Sequence, residues 1–242
     1  MVHHDTMRPC LVRDLRIDMD SVSLPGRLTI PQDAREIVLF VHGSRSSRHS
    51  PRNRFVAEIL QAKGMATLLF DLLTAGEEYL DQRTVSFRFD IGLLTWRLVG
   101  ATAWTKRNAL TRDMRIGYFG ASTGAAAALA AAARLHKSVG AIVSRGGRPD
   151  LAGDALGLVR APTLLIVGGQ DETVLELNRQ ALAQLRCPQK ELTVIPGATH
   201  LFEEPGTLEE AARTAADWFS CYLGDQESQT EESLSDRQYQ RR

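Results

Sequence analysis

A serine held between glycines, Gly120-Ala121-Ser122-Thr123-Gly124, follows the apolar run Met114–Phe119 and precedes an alanine-rich segment, Ala125–Ala133. A strand running directly into a helix through such a turn fits a nucleophile elbow. The small residues let strand and helix approach closely, and the turn lifts the hydroxyl to a helix N-terminus. There the Thr123 amide can stabilise a developing oxyanion. The bland reading is that Ser122 only caps the helix.

A serine hydroxyl needs a base, and the base needs an acid to orient it. Asp171 stands in Gly168-Gly169-Gln170-Asp171-Glu172, just after the run Thr163–Val167, and His200 stands in Gly197-Ala198-Thr199-His200, just after Glu191–Ile195. Both loops are expected on the C-terminal edge of a sheet, where open α/β sheets place ligands. The alternatives are an N-cap role for Asp171 and an ordinary loop histidine at position 200. A second oxyanion donor is expected after the run Ile37–Val41, in His42-Gly43-Ser44-Arg45, with the Ser44 amide as first choice and Arg45 as the neighbouring one. His42 is expected to brace that loop through its backbone.

These residues need a scaffold. Short apolar runs at 37–41, 66–70, 114–119, 139–143, 163–167 and 191–195 have the look of strands buried on both faces. Segments with helical spacing lie between them: Phe55 to Leu60, Ile91 to Ala101, Ala125 to Ala133, Val174 to Leu185, and about 206–223. Their alternation predicts a single-domain α/β fold, a mostly parallel doubly wound sheet with helices on both faces. An antiparallel hairpin is expected over about 10–36, with a turn and short strand at 24–31. Residues 1–223 are read as one domain, and the polar stretch 224–242 as a disordered tail.

Four motifs in this order, 41–44, 120–124, 168–174 and 197–202, resemble the α/β-hydrolase superfamily and, within it, the dienelactone-hydrolase-like branch, over about residues 28–222. The resemblance implies Ser122 as nucleophile, His200 as base and Asp171 as acid. One residue departs from it: dienelactone hydrolases carry cysteine at the elbow, and serine here points toward esterase chemistry.

The expected activity is hydrolysis of small or short-acyl carboxylic esters through an acyl-enzyme. A lactonase, thioesterase, amidase or peptidase would use the same residues, and a non-catalytic binder retaining the fold is the rival from another class. The interval from Ser144 to Pro162 is too short for a full lid, so an open site is expected. Arginines gather near the mouth, at 45, 48, 52 and 54 and at 145 and 148. Arg45 and Arg145 are the candidates for binding a substrate carboxylate, against the alternative of a solvated surface partnered by acids such as Asp71. Glu77, Glu78 and Asp81 read as a polar loop beside the pocket.

Composition limits the rest. The chain has 242 residues, 29 Lys plus Arg against 29 Asp plus Glu, and 43% apolar residues. Zero net charge argues against nucleic acid or a membrane surface as partner. Three scattered cysteines, Cys10, Cys187 and Cys221, offer neither a disulfide framework nor a zinc site, and no metal or cofactor is expected. No apolar run is long enough to span a bilayer, so a cytoplasmic monomer or homodimer acting on a small-molecule ester is expected.

Overall fold

The computed structural model describes residues 10–19 and 21–224; the expectation for the tail lies almost wholly outside these residues. Eight strands form one sheet: β1 (Cys10–Met19), β2 (Val22–Pro31), β3 (Glu36–Val41), β4 (Ala66–Phe70), β5 (Arg115–Ala121), β6 (Ala141–Arg145), β7 (Thr163–Gly168) and β8 (Lys190–Ile195). Their spatial order is β1-β2-β4-β3-β5-β6-β7-β8. The first two form an antiparallel hairpin, β2 joins β4 antiparallel, and every later pairing is parallel.

The central strands bury alternate residues on opposite faces, as a pleat requires. Ile37, Leu39 and Val41 of β3 belong to one apolar cluster, and Val38 and Phe40 to the other. On the first face lie α3 (Ile91–Arg107), α4 (Thr123–Leu135) and α5 (Glu172–Gln184), contributing Leu94, Leu98, Leu129 and Ala181. The second face is covered by α1 (Pro51–Ala62) and α6 (Thr207–Leu223) through Val56, Leu60, Ala212, Ala216 and Phe219. In α6 the buried positions 211, 212, 215, 216, 219 and 223 recur at helical spacing, one apolar stripe against the sheet.

Two local expectations need correction. The stretch 24–31 is not a turn and short strand but part of the ten-residue β2. Pro25 is tolerated because pairing with β4 begins only at Gly26, so its missing N–H breaks no bond on that side. The polar segment around Glu77 is not a loop but α2 (Ala75–Thr84). Thr74 and Glu77 close a capping box there: the Glu77 amide donates to Thr74 Oγ1 at 3.2 Å and the Thr74 amide to Glu77 Oε2 at 2.8 Å. The interval 144–162 carries only a kinked 3₁₀ segment, Pro149–Leu158, and no helical lid. Among the described residues no helix is long and apolar enough to cross a membrane.

Candidate active site

Parallel strands β3, β5, β6, β7 and β8 lie side by side and deliver His42–Ser44, Ser122, Arg145, Asp171 and His200 to one edge of the sheet. Residues far apart in the sequence become spatial neighbours through this order.

Ser122 occupies the turn between β5 and α4 with φ 51° and ψ −124°, a region costly for a residue with a Cβ. Close packing enforces it. A Cβ on Gly124 would fall 2.0 Å from the Val41 carbonyl oxygen, and one on Gly120 would fall 2.5 Å from Ala125 Cα. The capping alternative is not realised, because the Ser122 side chain accepts no bond from the helix it precedes.

Asp171 stands at the start of α5 but likewise makes no side-chain cap. Its Oδ2 instead accepts from His200 Nδ1 at 2.6 Å. That bond places the imidazole proton on Nδ1 and leaves Nε2 free to accept another, the tautomer a general base needs. The two loops are tied by backbone as well, with the Gln170 amide donating to the Ala198 carbonyl at 2.9 Å. Beyond His200, Thr199 donates through its hydroxyl and amide to Glu204 at 2.6 and 3.0 Å, and those two bonds hold the Glu204 carboxyl below its usual range.

Ser122 and His200 line the same cavity of about 240 Å³ together with Gly43, Ser44, Arg52 and Arg145. Their side chains are not hydrogen-bonded to each other among the described residues, and in free enzymes this bond is often long until substrate arrives.

The loop after β3 is braced as expected. His42 is buried; its Nε2 accepts from the Leu72 amide at 3.1 Å, so Nδ1 carries the proton and donates to the Gly43 carbonyl at 2.9 Å. Burial pushes this imidazole below its ordinary pKa, keeping it neutral. The Ser44 amide, expected to point free into an oxyanion hole, donates to Thr123 Oγ1 at 3.0 Å. To serve an oxyanion it would have to exchange that hydroxyl for a stronger, charged acceptor.

The two arginines singled out from the sequence part company. Arg45, exposed and in the left-handed region at φ 57°, lines an adjoining cavity of about 750 Å³ rather than the one holding Ser122. The turn that brings Gly43 against Ser122 carries the next residues away from it. Arg145, at the end of β6, is buried and lines the Ser122 cavity. Of the other mouth arginines, Arg48 is paired with Asp71, Arg52 with Glu203 at 3.1 Å and Arg148 with Asp150 at 2.7 Å. Among the described residues no cluster of His, Cys, Asp or Glu is arranged to hold a metal.

No protein-family model matches the chain. A solved structure of dienelactone hydrolase from Anabaena variabilis ATCC 29413 is 56% identical, covers 88% of this chain and 99% of its own, and superposes with a TM-score of 0.87. Est1E from Butyrivibrio proteoclasticus shares the fold at 18% identity, with a TM-score of 0.73 over 88% of this chain and 99% of its own. A Mycobacterium tuberculosis (strain H37Rv) protein bearing a provisional phosphoribosyl transferase name is 56% identical over 216 residues, 89% of this chain and 47% of that protein. The chain thus spans about half the length of the curated relatives it matches.

Proposed function

Because the chain belongs to the dienelactone-hydrolase-like branch of the α/β-hydrolase superfamily, we propose that it is a serine esterase acting on small or short-acyl carboxylic esters. The observation that carries this reading is the Asp171–His200 bond of 2.6 Å, made at the rim of the cavity that also holds a strained, uncapped Ser122.

In the proposed reaction Ser122 Oγ attacks the ester carbonyl while His200 Nε2 takes its proton, and Asp171 steadies the imidazolium. The amide of Thr123 receives the oxyanion, and the Ser44 amide joins it by leaving Thr123 Oγ1. His200 then protonates the departing alcohol. A water deprotonated by the same nitrogen releases the acid and restores Ser122. A cavity of about 240 Å³ without a helical lid suits short acyl groups.

The transferase name belongs to a protein about twice as long. The segment shared with this chain includes the elbow, and a half-buried serine that shares a cavity with a histidine suits acyl chemistry. p-Nitrophenyl esters of increasing chain length test the proposal. Activity is expected to be highest at two to four carbons and to fall on the order of 10³-fold or more in Ser122→Ala. Undiminished activity in pure Ser122→Ala protein would refute it.

A further inference from the structure

Asn53 is a buried polar residue whose side chain has no task in the fold. It is the third residue of α1 and 3% exposed, and its Oδ1 is enclosed without a donor. Among the described residues only its backbone is engaged, the amide donating to Ser50 Oγ at 3.3 Å. A polar side chain at this position of a helix can reach back to the amide of the capping residue. Here that amide, of Ser50, already donates to the Ser47 carbonyl at 3.0 Å, so capping does not account for Asn53. An enclosed amide oxygen with no donor is costly, and proteins keep few of them.

The side chain lines the cavity that holds Ser122 and His200. Ser44, Ser46 and Ser50, from the segment that runs from β3 into α1, line it as well, and Arg52 is turned to Glu203 at 3.1 Å. Asn53 thus brings to the cavity an acceptor with nothing to accept. Neither a carboxylate nor a carbonyl can satisfy it, because neither donates. An ammonium group would donate, but Arg52 and Arg145 in the same lining repel a cation. A hydroxyl is the smallest neutral group that donates, and it suits a cavity of about 240 Å³. Its own oxygen also has a donor at hand, since Ser50 Oγ accepts from the Asn53 amide and keeps its proton free.

We infer that Asn53, with the Ser50 hydroxyl beside it, is a specificity residue for a hydroxyl group carried on the ester substrate. The substrate hydroxyl donates to Asn53 Oδ1 and accepts from Ser50 Oγ. This inference rests on the esterase reading and narrows its substrate class to hydroxylated esters. A site built to pair a hydroxyl discriminates against the analogue that lacks it, because the buried partner is then left unmet.

Two pairs of esters that exchange one hydroxyl for a methyl group test it, with hydrolysis followed by titration of the released acid. Each enantiomer of methyl 3-hydroxybutyrate against methyl isovalerate places the hydroxyl on the acyl side; 2-hydroxyethyl butyrate against propyl butyrate places it on the alcohol side. In one of the pairs the hydroxylated ester is expected to have a kcat/KM about tenfold or more above its partner, and that pair assigns the side. In Asn53→Leu, which keeps the shape and removes the acceptor, the ratio is expected to fall at least fivefold. Where Asn53→Leu does not fold, Asn53→Ala removes the same oxygen and is expected to give the same fall. Hydrolysis without a preference for the hydroxylated ester in either pair, or a preference that survives in the Asn53 variants, overturns the inference and leaves the esterase reading standing. Hydrolysis of none of the four esters overturns both.

Discussion

Two arginines in this molecule are almost equally buried and chemically opposite. Arg88 follows α2, is 6% exposed and is paired: its Nε donates to Asp81 Oδ2 at 2.5 Å and its Nη2 to the Asp81 carbonyl at 2.8 Å. Asp81 in turn accepts the amides of Phe87 and Arg88 at 2.7 and 2.9 Å. Burial works against the Asp81 charge, but these bonds outweigh it and hold the carboxyl below its ordinary pKa. Arg145 is 7% exposed and has no such partner among the described residues; burial, reinforced by Arg52, pulls it down to about 10. At neutral pH it stays charged. The difference is one of closure: a buried charge whose bonds are closed within the chain fixes a loop, while the other is left open beside the cavity that Ser122 lines.

Removing Asp81 should have the largest effect, because Asp81→Ala turns Arg88 into a second unpartnered buried cation. The pair lies under a thin cover near the surface, so a loss of about 3 kcal/mol is expected, the low end for breaking a buried pair, read by urea denaturation. Arg145→Met should go the other way, raising stability by about 1–2 kcal/mol, because it replaces an unpaired buried charge with an apolar side chain. A loss as large as that of Asp81→Ala would show that Arg145 holds the fold and would erase the contrast.

His42 gives the smallest effect. Its folded pKa lies below the unfolded value of about 6.5, so below that pH the unfolded chain binds a proton the folded chain refuses. Stability should therefore fall as pH drops through about 6.5 toward the folded value, by at most about 1.4 kcal/mol per pH unit. Thermal unfolding between pH 7.5 and 5 should show a slope that is shallower in His42→Asn. Equal slopes would mean that His42 titrates normally.

The sequence was readable where one physical cause dominates. Continuous apolar runs mark the parallel strands because both their faces are covered, and the glycines of 120–124 announce a close approach that the packing of Val41 against Gly124 requires. The helix α2 was hidden by its charge. Its residues read as a solvated loop, although Thr74 and Glu77 at capping-box spacing were the signal that would have found it.

The pairing of Asp171 with His200 was legible from motif order, but other contacts that depend on pairing in space were not. Arg45 and Arg145 are the same residue type, and only the turn at positions 43–45 and the end of β6 send one to a neighbouring cavity and the other to Ser122. Nor does any spacing disclose that Thr123 Oγ1 takes the Ser44 amide, since 79 residues separate them along the chain.

The reactivity of Ser122 is measured most directly by treating the folded protein with a fluorophosphonate and mapping the adduct by peptide mass spectrometry. The account predicts one adduct, on Ser122, absent from Ser122→Ala and formed far more slowly in His200→Ala. A folded protein that takes up no probe, or takes it up on another residue, would contradict it.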